Sequence, residues 1–329
     1  MKRKMIAASL LVLVLLLTAA CGGGGTETPS PTEAPATETP AAEAPATEEP
    51  TEPTIRYDRA GTPFALPETV ETILSIGPGN TEVLVALGFG SKIVGIDAFS
   101  SDIPGLPADV ELFDMMAIDG ERMIALAPDV IFTTGMIMVD GLDPLEIVRA
   151  AGITVIAIRD PITSIAEIVD DIRFIADVMD AVEAGEALVM EMMQEIDAIR
   201  AIGEAVAERK TVYFEIAAPP FMFSFGHGVF LNEMIELIGA ENVFADQDRW
   251  FSVADESVLE RNPDVILTNV DYLDDPVGDV LDRPGWESLS AVANERVYFI
   301  EANASSRPSH HIVRALIEMA RAVYPDYFG

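Results

Sequence analysis

"SIAEIVDDIRFIADVMDAVEAGEALVMEMMQEIDAIRAIGEAVAERK", residues 164–210, contains no proline and two glycines. Leu188, Met192, Ile196 and Ile199 step by four, four and three, so they form one apolar stripe on a helix. The spacing predicts a helix over 164–179 and a longer one filling most of 181–209. The methionines of the stripe read as packing rather than as ligands. A helix this long, set between two stretches of different pattern, is a stiff strut, and it predicts little closure between the parts it joins.

On both sides of it the chain alternates strand and helix. Before it come the β-rich run "TILSI", the helical "NTEVLVALG" ending at Gly88, the strand "KIVGI", a helix over 121–126 and a strand over 130–133. A helix over 144–151 and the strand "TVIAI" follow. After the strut the pattern restarts at Thr211 with "TVYFEI", the helix "FLNEMIELIG", a short strand near Val243, a helix over 256–261 and the strand "VILTN". A helical stretch around "VGDVLDRPGWESL", the strand "RVYFI" and a last helix "HIVRALIEMARAVY" complete it. Short apolar runs separated by amphipathic helices predict parallel sheets covered on both faces. The expected fold is α/β: two Rossmann-like lobes, 55–180 and 210–329, joined by a bridging helix over 181–209.

The lobes share a phrase. "GERMIALAPDV" begins at Gly120 and "DESVLERNPDV" at Asp255. In each a glutamate, Glu121 or Glu256, stands seven residues before Pro-Asp-Val. Asp119 and Asp255 read as caps or first-turn residues, and the glutamates complement the helix dipole for at most about 1 kcal/mol each. Pro128 and Pro263 stop the helices. That local account explains an acid in each lobe but not why the lobes match.

The first residues, "MKRKMIAASLLVLVLLLTAAC", pair basic residues with a short apolar run, which predicts a signal peptide over 1–21. The single cysteine, Cys21, ends it and is the expected lipidation site. Residues 22–54 are rich in Pro, Thr and Glu and lack apolar periodicity, so a disordered tether is expected there. The expected location is therefore extracytoplasmic, lipid-anchored to the outer face of the cell membrane, with no other membrane contact. The formal charge of −35 makes nucleic acid and anionic lipid poor partners.

No GxSxG, HExxH or P-loop occurs, and no cysteine remains after Cys21, so no catalytic residue is expected and the chain reads as no enzyme. Three histidines are too few for a bare-ion metal site. A ligand between lobes of this kind meets the loops after the strands. Those loops hold Phe99, Met115 and Met116 in the first lobe and Phe221, Phe223, His227, Trp250, Tyr272 and Arg307 in the second. Aromatics in loops suit a large flat or macrocyclic ligand. Arg307, just before Pro308 at a helix start, meets either an acidic group of a ligand or a neighbouring aspartate.

"SIGPGNTEVLVALGFGSKIVGI", "GERMIALAPDVIF", "AGITVIAI", "IELIGAENVFAD", "DESVLERNPDVILTN" and "SRPSHHIVRALIEMARAVYP" together resemble the bacterial solute-binding lipoproteins of cobalamin, ferric-siderophore and haem ABC importers. The resemblance covers residues 70–325 and implies two lobes bridged by a long helix. It implies that Glu121 and Glu256 dock onto arginines of a two-fold permease dimer, and that the binding protein is a monomer carrying a metal-chelate ligand. No cofactor of its own is implied, the iron chelate, corrinoid or haem being cargo. Corrinoid-binding relatives add tryptophans near the positions of Met115 and Thr133, whereas Trp250 and Trp286 both lie in the second lobe here. An alternative is haem, held by one of Met115, Met116, Met136 and Met138 from one lobe and by His227 from the other. A lipid-anchored chelatase-like enzyme is a further alternative.

Overall fold

The computed structural model describes residues 54–137 and 143–329. The signal peptide, Cys21, Met138 and all but the last residue of the tether lie outside the described residues. These described residues belong to one compact unit.

A hairpin of β1 (Arg56–Tyr57) and β2 (Pro63–Phe64) opens the described chain. The first lobe then runs β3 (Ile73–Ser75), α1 (Pro78–Ala86), β4 (Ile93–Asp97), β5 (Glu111–Phe113), α2 (Gly120–Leu126), β6 (Val130–Thr134), α3 (Glu146–Ala150) and β7 (Thr154–Ile158). Its five strands are all parallel in the order β5-β4-β3-β6-β7. Helices α4 (Ile165–Val178) and α5 (Val182–Gly203) follow. The second lobe holds β8 (Thr211–Glu215), β9 (Phe223–Phe225), α6 (Phe230–Leu237), β10 (Glu241–Asn242), β11 (Trp250–Ser252), α7 (Asp255–Arg261) and β12 (Val265–Thr268). It ends with α8 (Pro276–Leu281), α9 (Ser290–Ala293), β13 (Val297–Phe299), α10 (Ala302–Ser306), α11 (Ile312–Val323) and α12 (Pro325–Phe328). Its main sheet, β10-β8-β12-β13, is again parallel, and β9 and β11 form a separate antiparallel ribbon.

Local chemistry sets the two linking helices. Ser164 caps α4 by accepting the Glu167 N–H, while the Glu167 carboxylate reaches back to the Thr163 N–H and hydroxyl, both at 2.7 Å. The buried stripe of α5 is Gly185, Val189, Met192, Ile196 and Ile199, so Val189 faces inward where the sequence suggested Leu188, which is half-buried. The helix stops at Gly203, short of the expected 209. A β-carbon on Gly203 would sit 2.1 Å from the Leu237 carbonyl oxygen, so α5 ends where it meets the end of α6. One continuous apolar core runs from the first sheet (Ile73, Val130) through α4 and α5 to the second sheet and α11 (Val212, Leu267, Leu316).

The repeated phrase folds the same way twice. Both α2 and α7 have seven residues, and both end on a left-handed residue, Ala127 (φ 49°) and Asn262 (φ 45°), just before the proline. Asp129 then accepts from the N–H and hydroxyl of Thr72, and Asp264 from those of Thr211, each aspartate pinning the start of the neighbouring strand. At the other end the helices differ: Asp119 is the cap of α2, whereas Ala254 caps α7 and Asp255 is a first-turn residue that accepts from the Trp286 indole.

Candidate ligand-binding site

In an open parallel sheet the chain leaves successive strands in opposite directions at one point, and a crevice forms there beyond the carboxyl ends. The first sheet has this point between β3 and β6, the second between β8 and β12. A cleft of about 430 Å³ lies over both. Gly77 and Thr134 line it from the first lobe, Ile216 and Asn269 from the second, and α4 contributes Ile168, Ile172 and Ile175.

Gly77 (φ 113°) allows the turn from β3 into α1, and a β-carbon there would crowd Asn80 at 3.1 Å and Thr134 at 3.3 Å. Its N–H donates to buried Asp97 at 2.9 Å. Asp97 also accepts from the Phe99 N–H and the Ser100 hydroxyl, which fixes the loop presenting Phe99 to the cleft.

Five of the nine expected contact residues line the cleft: Phe99, Met115, Met116, Tyr272 and Arg307. Phe99, Met116 and Tyr272 are largely exposed at its rim, while Met115 is buried. The Tyr272 hydroxyl accepts from the Ala218 N–H at 2.8 Å. Phe221, Phe223, His227 and Trp250 are not among the lining residues. Phe223 and Trp250 belong to the β9–β11 ribbon, where Trp250 packs edge-on to Phe225 at 5.6 Å. The ribbon is tied to cleft-lining Ile216, whose N–H donates to the Phe223 carbonyl, and Phe221 stands 83% exposed just before it. His227 sits 3.6 Å from Asp248 on the same side. Glu121 and Glu256 lie outside the cleft, exposed, and their side chains make no ion pair or hydrogen bond among the described residues.

Arg307 is committed to the protein. Its guanidinium donates to Glu82 at 3.1 Å, Asp102 at 2.6 Å and the Phe99 carbonyl at 2.7 Å, all in the first lobe. Ser309 and His311 also meet Glu82, and Asn303 meets Asp102. Burial pushes the Glu82 carboxyl up, but the hydrogen bonds from His311, Ser309 and Arg307 outweigh it and the net shift is downward. Burial likewise lowers His310 to about 4, so it is a neutral side chain beside this network.

Sequence reasoning missed the polar floor. Asp171 on α4 is 6% exposed and lines the cleft, beside Arg159 and Asp160 at the end of β7. Burial raises Asp171 to about 6 against the pull of Arg59 and Arg159. Its signal was the helical register of α4, where Asp171 shares a face with Ile168, Ile172 and Ile175.

A two-lobed α/β body with a crevice across both strand-order reversals defines a solute-binding protein. The model of the periplasmic binding protein family matches residues 73–304, and the chain belongs to that family. It is 31% identical over 258 residues to YvrC of Bacillus subtilis, an ABC transporter substrate-binding lipoprotein, covering 78% of this chain and 81% of that protein. It is 30% identical over 205 residues to the vitamin B12-binding protein of Yersinia pestis, covering 61% and 70%. Among solved structures, a possible iron-binding, periplasmic solute-binding protein of Staphylococcus epidermidis superposes with a TM-score of 0.69 at 27% identity, covering 78% of this chain and all of that one. The chain is thus an extracytoplasmic solute-binding component of an ABC transporter and not an enzyme.

Proposed function

We propose that this protein captures a metal chelate, an iron complex or a corrinoid, in the cleft and delivers it to a permease dimer. The observation that carries the reading is the single cleft spanning both switch points, walled by isoleucines and rimmed by exposed Phe99, Met116 and Tyr272. Its volume lies within the range of small-molecule sites, and its open rim suits a ligand broader than the floor. Purified protein exposed to haem, cobalamin and ferric siderophores should acquire the absorbance of one of them, and a protein that retains none refutes the reading. The haem alternative with axial methionine and histidine is not favoured, because His227 is not among the cleft-lining residues.

The lipoprotein character of YvrC supports a lipid at Cys21, with residues 22–54 as the leash. Glu121 and Glu256 are the docking feet in this reading: matched in helix, exposed and unpaired, they set register on a symmetric partner. The double variant Glu121→Ala with Glu256→Ala is expected to keep ligand affinity and abolish uptake, and unchanged uptake removes the docking role.

A further inference from the structure

We propose that the cleft selects by charge: it takes an uncharged or cationic chelate and rejects polyanionic ones. The inference rests on the receptor reading above and narrows its ligand.

The cations of the cleft are already spent. Among the described lining residues the only basic ones are Arg159 and Arg307. Arg159 donates to Glu167 at 3.0 Å and lies 3.8 Å from Asp171. Arg307 is held by Glu82 and Asp102. Asp160, Asp171 and Asp271 also face the cleft, so carboxylates outnumber guanidiniums there. The amino end of α1, which would attract an anion, already has Asp97 against the Gly77 N–H.

The remaining polar side chains of the lining are uncharged. Asn80, Asn269 and Asn303 line the cleft; Asn269 donates both N–H groups inside the protein, to Ser305 and Ser306, and Asn80 and Asn303 one each, to the Ile76 carbonyl and to Asp102. Their carbonyl oxygens remain for a ligand. Asp171 adds a buried carboxylate to the floor, with the Arg59 Nε at 3.0 Å and the Arg159 Nε at 3.8 Å as its ion-pair partners. A polyanion placed here would meet like charge and no free cation.

The test is calorimetric titration of the full mature chain with cyanocobalamin (neutral and amide-rich), ferrioxamine B (cationic) and ferric enterobactin (polyanionic). One of the first two is expected to bind at least about tenfold more tightly than the third. Asp171→Asn, which removes a negative charge from the floor of the cleft, should tighten the third by about threefold. Exposed Asp271, changed by Asp271→Lys, should tighten the polyanion without touching the core. Tightest binding of the polyanion, or an unchanged affinity for it in both Asp171→Asn and Asp271→Lys, overturns the charge selection while leaving the receptor reading intact. If the folded protein binds none of the three, and not haem, the receptor reading fails and this inference with it.

Discussion

Asp171 shows how a single residue divides stability from function. Its carboxyl ionises at about 6 in the fold against 3.8 as the unperturbed value, because burial outweighs Arg59 and Arg159. Between those values the folded chain holds a proton the unfolded chain has lost, so this group's contribution to stability rises as pH falls from 7 towards 4. Asp171→Asn removes the titration. It is expected to melt at or above the wild-type temperature at pH 7.5 and to lose that advantage at pH 4.5; a lower melting temperature at pH 7.5 counts against the assignment. Both arginines keep other partners, Arg59 the Asp170 carbonyl and the Phe174 ring, Arg159 the Glu167 carboxylate. Glu82 titrates with the opposite sign: its lowered pKa gives stability that is lost as pH falls through the folded value. Arg307 was legible as a charged residue beside the cleft with two alternative partners. Only the folded chain shows that the neighbouring aspartate, together with Glu82, holds it, since both acids lie more than 200 residues away in sequence.

At the scale of elements, periodicity carried most of the fold. Strands β3, β4, β6, β7, β8 and β12 and the helices from α4 to α7 stand out as apolar runs or stripes before any contact is known. The ribbon of β9 and β11 does not, because two three-residue strands give no measurable alternation. Residues quoted as free loops, Phe223 and Trp250, are paired across it, which is why they flank the cleft instead of lining it. The carboxyl ends of α2 and α7 offer a direct test of local strain. Ala127 holds a left-handed conformation that its β-carbon disfavours, whereas Asn262 tolerates it at the matching place. Ala127→Gly is therefore expected to stabilise the protein by roughly 1 kcal/mol in urea unfolding. A loss of stability would show that the entropy of the added glycine outweighs the strain.

Across the whole molecule, the lobes share one core and are pinned at several points on either side of it. The Glu82–Arg307–Asp102 network joins α1 and the loop after β4 to the end of α10. Glu233 on α6 accepts the Ile165 N–H at the start of α4. Gly79 passes so near Pro308 that a β-carbon would stand 2.8 Å from its carbonyl oxygen. The sequence suggested this stiffness through the length of the strut, but not the charged ties, which join segments distant along the chain. Solution scattering with and without the chelate that binds in titration is expected to give radii of gyration differing by less than about 1 Å. A larger contraction would mean the ties open.

A receptor braced in this way is expected to keep one silhouette whether empty or laden. Its transporter then has little to read in that outline, and must sense the load through the cargo's own exposed face. Such a receptor would not let go by relaxing, and on the reading proposed above the work of release would fall on the ATP-driven transporter.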